Sequence, residues 1–237
     1  MKIYPFFLFF IFQLGCNFSK EKSYSCNQVL EEYTSLIKKI TEEKNGKVLS
    51  GITALSNTND KCVTAYFLLG DIYLAQNNFT QAKQNFLSAL KFQENNIYSL
   101  YKLGLIYHAE KNYDSAILLF RTAAKQKTTN GFVLNYSNEY SEIINRPHFD
   151  IQYSEIIFSN ALASYNANNL LDARNELNYC ITQKIHLDEA YYLRGLIYFE
   201  IKYYNKACND MFMAKSYGSS KATEYIINNN CRQEKVN

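Results

Sequence analysis

Three stretches of this 237-residue chain repeat one another in fixed register. AYFLLGDIYLAQNNFTQAKQNFLSAL and SLYKLGLIYHAEKNYDSAILLFRTAA set Gly70, Tyr73, Ala82, Phe86 and Ala89 against Gly104, Tyr107, Ala116, Phe120 and Ala123, each step being 34 residues. Farther on, EAYYLRGLIYFEIKYYNKACNDMFMAKS places Gly195, Tyr198, Ala207, Met211 and Ala214 at the same positions. A period of this length constrains the fold more than composition can. Each copy is a small supersecondary unit that cannot bury its own apolar face, so the copies must stack into an array with one continuous core. Stepping back 34 residues from Gly195 reaches Ala161, and Ala173, Leu177 and Cys180 then fall at second-half positions, which makes residues 154–187 a weaker copy.

Within each copy the apolar residues recur at helical spacing, and the chain holds only 8 glycines and 2 prolines to break helices. Two helices per copy are expected, separated by the polar turns Gln76-Asn77-Asn78, Lys111-Asn112 and Lys202-Tyr203. Glycine inside a helix costs about 1 kcal/mol relative to alanine. Its recurrence at Gly70, Gly104 and Gly195 therefore marks a place where a side chain would clash, and the small Ala82, Ala116 and Ala207 fit close approach of the second helix. Period and residues together resemble the tetratricopeptide repeat (TPR), whose W-x2-L-G-x2-Y…A-x3-F pattern is matched here with Tyr66 and Leu100 in place of Trp. The resemblance implies an all-α fold, a TPR-like helical solenoid of antiparallel helix pairs.

On that register two repeats occupy 63–130 and two more 154–221, followed by a solvating helix and tail over 222–237. Residues 29–62 keep second-helix spacing at Val48, Ile52 and Leu55 but lose the Gly and Tyr, so a degenerate capping hairpin is expected there. Residues 131–153 fit no repeat and contain Pro147, which ends helices. A long loop and a short extra helix over 138–145 both fit this insertion.

The amino terminus reads MKIYPFFLFFIFQLGCNFSKEKS. The apolar run from Ile3 to Leu14, at helical rise, covers about half of the roughly 30 Å hydrocarbon core, so it reads as a secretory signal over 1–15. Leu14-Gly15-Cys16 resembles the lipobox of bacterial lipoproteins, with Gln13 where an aliphatic residue is usual. That resemblance implies cleavage before Cys16, acylation of its thiol, a tether over 16–28, and anchoring to the cell envelope, the outer membrane being the expected site. Two or three acyl chains hold a protein on a membrane where one does not.

Removing Lys2 with the signal takes the formal charge from +3 to +2, too balanced for the concentrated basic face that nucleic acid requires. No nucleic acid is expected as a partner. The remaining cysteines lack CxxC spacing, and in an exported chain they can pair. The second helix of the last repeat and the closing helix lie side by side in this register, which brings Cys208 near Cys231. Cys26 with Cys62 would bridge the two ends of the capping hairpin, and Cys180 would remain as a buried thiol. Three histidines, His108, His148 and His186, show no helical metal spacing, and Glu139, Glu142 and Asp150 around His148 read as a solvated loop. No metal site, cofactor or catalytic constellation is expected, and the chain reads as non-enzymatic.

What TPR proteins do with their first helices supplies the remaining expectation. Those helices form a concave wall that binds a protein or peptide partner. Its fifth positions here are Phe67, Tyr101, Phe158 and Tyr192; its twelfth include His108, Tyr165 and Phe199. The leading function is a protein-protein interaction module, a scaffold or adaptor. A glycan or small-ligand receptor is the alternative, and the absence of tryptophan counts against it. Whether the aromatic stripe is wall or core is open at this level.

Overall fold

The computed structural model describes residues 63–129 and 151–232. The signal 1–15, Cys16, the tether 16–28, the hairpin 29–62 with Cys26 and Cys62, nearly all of the insertion 131–153 including His148, and the tail from 233 lie outside the described residues. Among those residues there are nine helices and no strand. They pair as α1 (Val63–Ala75) with α2 (Phe79–Phe92), α3 (Ile97–Ala109) with α4 (Tyr113–Thr129), α5 (Tyr153–Asn166) with α6 (Leu170–Thr182), and α7 (Leu187–Glu200) with α8 (Tyr204–Ser216). A ninth, α9 (Ser220–Asn228), closes the array. Each helix packs mainly on its neighbours in sequence, which is how a solenoid buries its core.

The turns inside the pairs share one design. Asn77, Lys111, Asn168 and Lys202 each adopt the left-handed region, with φ of 58°, 60°, 62° and 66°. The residue after each donates its N–H back to the first helix: Asn78 to the Tyr73 carbonyl at 2.8 Å, Asn112 to Tyr107 at 2.9 Å, Asn169 to Ser164 at 2.8 Å and Tyr203 to Tyr198 at 2.7 Å. This satisfies a carbonyl that the helix end would leave open. In the first two pairs the same asparagine caps the second helix, Asn78 accepting from Gln81 N at 3.2 Å and Asn112 from Ser115 N at 3.3 Å. The closing helix starts two residues earlier than the sequence register implies, because the Ser219 hydroxyl accepts from Ala222 N at 3.3 Å.

The repeated glycines lie under an aromatic lid. A Cβ on Gly70 would stand 2.7 Å from the Phe86 ring, and one on Gly104 would stand 2.5 Å from the Phe120 ring. The obstruction is thus the phenylalanine that recurs one turn beyond Ala82 and Ala116 rather than those alanines, which are themselves fully buried. In the last repeat the facing atom is Met211 Cε, 2.9 Å from a Cβ on Gly195. In the third repeat Ala161 replaces glycine, and Leu177, smaller than phenylalanine, stands where the first two repeats have Phe86 and Phe120; both are fully buried. Volume removed from one helix is returned by the other, as close packing demands.

A disulfide joins Cys208 on α8 to Cys231 just past α9, with Cα atoms 5.4 Å apart. Cys180 is a free thiol in the core, and burial pushes its pKa up to about 12.

Candidate functional wall

The first helices of successive repeats are laced together by side chains, several of them from the predicted wall. Between α1 and α3, the Tyr98 hydroxyl donates to Asp71 Oδ2 and Lys102 Nζ lies 3.3 Å from Asp71 Oδ1. Between α3 and α5, the Tyr101 hydroxyl meets Ser159 Oγ at 3.3 Å, and Asn166 Nδ2 meets His108 Nε2 at 2.9 Å. Between α5 and α7, the Tyr165 hydroxyl donates to Glu200 Oε1 at 3.2 Å. On α9, Lys221 Nζ sits 6.0 Å from the Tyr192 ring, and Tyr225 meets Phe199 edge-on at 5.6 Å. These links run from one first helix to the next, with Tyr101, His108, Tyr165, Tyr192 and Phe199 among the residues that make them.

Two of them are not wall residues. Phe67 is 1% exposed and Phe158 8%. Aromatic side chains from later in the chain cover them: Tyr98 lies 5.4 Å from the Phe67 ring and His186 4.5 Å from the Phe158 ring. Both are core, and the expectation that they line a groove is corrected. Tyr101, His108, Tyr165 and Tyr192 are half-buried, while Phe199 is 39% exposed. The open aromatic surface therefore gathers at the C-terminal end, where exposed Tyr204 also meets Phe199 edge-on at 5.3 Å.

Burial governs the acid-base state of this face. It lowers the pKa of His108, which keeps the imidazole neutral at pH 7. The Tyr165 hydroxyl is pushed up to about 12, first by burial and then by the Glu200 charge, and Tyr225 reaches about 12 by burial with Tyr192 and Tyr204 close by.

Sequence reasoning missed two polar clusters inside the second half of the array. In the last repeat Arg194 makes a bidentate pair with Asp210, two bonds of 2.7 Å, and donates a third to Asn178 Oδ1 at 2.7 Å. In the third repeat Glu176 accepts from Asn160 Nδ2 and from Ser164 Oγ at 3.2 Å, with Arg121 of α4 at 3.9 Å. One signal was available: the positions of Asn160 and Arg194 are leucines, Leu69 and Leu103, in the first two repeats.

Glu176 has a measurable consequence. Burial is the largest influence on its carboxyl and raises the pKa to about 7, against the opposing Arg121 charge and Ser164 bond; Asp172 adds to the rise. Because the folded pKa lies above the unfolded one, this contribution is complete below about pH 4.5 and is lost as pH rises through about 7. The melting temperature is expected to fall between pH 5 and pH 8 on the order of a few degrees, and Glu176→Gln to flatten that slope. An equally steep slope in the variant would assign the titration elsewhere.

Among the described residues no group of three His, Cys, Asp or Glu side chains could hold a metal ion, and no helix is long and apolar enough to cross a membrane. The family description "TPR repeat" matches residues 70–111, and "Tetratricopeptide repeat" matches residues 97–130 and 188–211. No curated protein sequence matches the chain. Among solved structures the fold is similar to PilF of Pseudomonas aeruginosa, at 10% identity and TM-score 0.62 over 87% of this chain and 88% of that one. It is similar to YrrB, a TPR protein with an unusual peptide-binding site, at 17% identity and TM-score 0.64 over 87% and 99%. PilW, a type IV pilus biogenesis factor, is similar at 15% identity and TM-score 0.53 over 87% and 96%. At these identities the likeness is one of fold. With the 34-residue register, the glycine-under-aromatic packing and the matched repeats in agreement, the chain is a tetratricopeptide-repeat protein.

Proposed function

We propose that this chain is an interaction module, a scaffold or adaptor without catalytic activity, anchored to the bacterial cell envelope through acylated Cys16. The observation that carries the docking half is the open end of the wall, where Phe199 is exposed beside half-buried Tyr165, Tyr192 and Leu196. The groups with the most chemical reach elsewhere are committed to structure: Arg194 is held by Asp210 and Asn178, and the Cys180 thiol is in the core. YrrB is a precedent for peptide binding on this fold. The anchoring half stands on Leu14-Gly15-Cys16 after a short apolar run.

One experiment separates the halves. The chain, its Cys16→Ala variant and a Tyr192→Ala/Phe199→Ala variant are expressed with a fatty-acid probe and recovered from detergent-solubilised envelope. Cys16→Ala is expected to lose the label, and equal labelling would remove the anchor. Aromatic anchors are commonly worth about 2 kcal/mol each in an interface, so the double variant should lose its protein partner by about three orders of magnitude in affinity. Its melting should change far less than that of Phe67→Ala, where truncating a core ring costs about 3 to 5 kcal/mol. A partner held equally well by the double variant would take the wall out of the function.

A further inference from the structure

We propose that the C-terminal half of the wall takes an extended peptide segment with lysine or arginine on both sides of an apolar or aromatic residue. This rests on the wall being a docking face and names the chemistry of its occupant.

The charge accounting points there. Asp71, Glu110, Asp172 and Asp210 each have a lysine or arginine partner, in Lys102, Lys83, Arg121 and Arg194. Glu155, Glu189 and Glu200 have none among the described residues. Glu155 meets only the His186 imidazole, at 2.9 Å, and Glu200 accepts only from the Tyr165 hydroxyl. The Glu155 and Glu200 carboxylates sit on the wall itself. Burial raises the Tyr101 hydroxyl pKa, the Ser159 bond opposes that, and the Glu155 charge adds to it; Glu200 is bonded to Tyr165. Glu189 occupies the position of Glu155 one repeat later. Between them lie half-buried Leu162, Tyr192 and Leu196 and exposed Phe199.

One cation already uses this surface, since Lys221 of α9 stands over the Tyr192 ring. It leaves the three carboxylates in excess. Glu189 and Glu200 stand near opposite ends of α7, separated by about 16 Å at helical rise. An extended chain covers that distance in about five residues, which sets the spacing of the two basic side chains. Exposed ion pairs each strengthen binding by no more than about fivefold, so the aromatic contact supplies most of the affinity and the charges choose the partner.

The test uses the full chain and three labelled ten-residue peptides, identical except at two positions five apart that flank a phenylalanine: both lysine, both serine or both glutamate. The lysine peptide is expected to bind at least about tenfold more tightly than the glutamate peptide, with the margin shrinking as salt is raised. A Glu189→Lys/Glu200→Lys variant, checked for unchanged helicity, should reverse the order. Equal binding of the three peptides, or an order that survives charge reversal, overturns the basic-segment assignment. If that equal binding is lost in Tyr192→Ala/Phe199→Ala, the docking face itself stands. Failure of every peptide to bind overturns both.

Discussion

Gly104→Ala is expected to destabilise the array by a net of up to about 2 kcal/mol, although alanine is the better helix former. The added Cβ would lie 2.5 Å from the Phe120 ring, and Phe120 is fully buried with no room to turn aside. Overpacking of this kind costs about 1 to 3 kcal/mol and occasionally more, against a gain of about 1 kcal/mol in helix propensity. Gly70→Ala, under Phe86 at 2.7 Å, should behave alike, while Gly195→Ala should cost less because its nearest obstacle is the flexible Cε of Met211. The third repeat supplies the rescue, for it already combines Ala161 with Leu177. Gly104→Ala with Phe120→Leu should therefore be more stable than the two single costs add to, by a coupling of about 1 kcal/mol or more. Denaturant unfolding of the four proteins measures this. A neutral Gly104→Ala, or strict additivity in the double variant, would separate the glycine from the ring.

Loss of the Cys208–Cys231 disulfide should cost about 3 kcal/mol, since the bond closes a loop of 23 residues in sequence. In a chain of this size that corresponds to a fall of roughly 6 to 12 °C in melting temperature. The loss should begin at α9. That helix has nine residues, too few to be stable alone, and among them only Ala222 is fully buried. Tyr225 and Ile226 add partial cover over Met211, Ala214, Tyr192 and Leu196. Freed from its tether, α9 should exchange its amide hydrogens far faster while α1 to α6 keep their protection. Hydrogen exchange of a Cys208→Ser/Cys231→Ser variant reads this directly, and unchanged protection in α9 would mean that packing alone holds it.

The chain's periodic elements were legible because they are local. A helix pair recurring every 34 residues shows itself in apolar spacing, in polar turns and in glycines that no helix would otherwise keep, and each of these depends only on near neighbours in sequence. Even the Cys208–Cys231 approach follows from register, once two consecutive helices are antiparallel. The left-handed turn residues Lys111 and Lys202 were less visible, because lysine carries no conformational signal and the turn is held by its capping bond.

Tertiary structure decided which aromatic faces outward. Phe67 and Tyr101 occupy the same place in their repeats, yet one is core and the other half-buried, because Tyr98 lies over the first and the second keeps its hydroxyl on Ser159. Phe158 goes inward under His186, a residue at a junction that no repeat pattern describes. The pairs Asn160–Glu176 and Arg194–Asp210 likewise join positions 16 residues apart across two helices. Sequence by itself determined the period, the helices and the need for space at Gly70 and Gly104, while the structure showed that the Phe86 and Phe120 rings fill it. Burial is set by whatever the adjacent repeat happens to place on top, so the partition of the stripe into core and wall belongs to the stacked array alone.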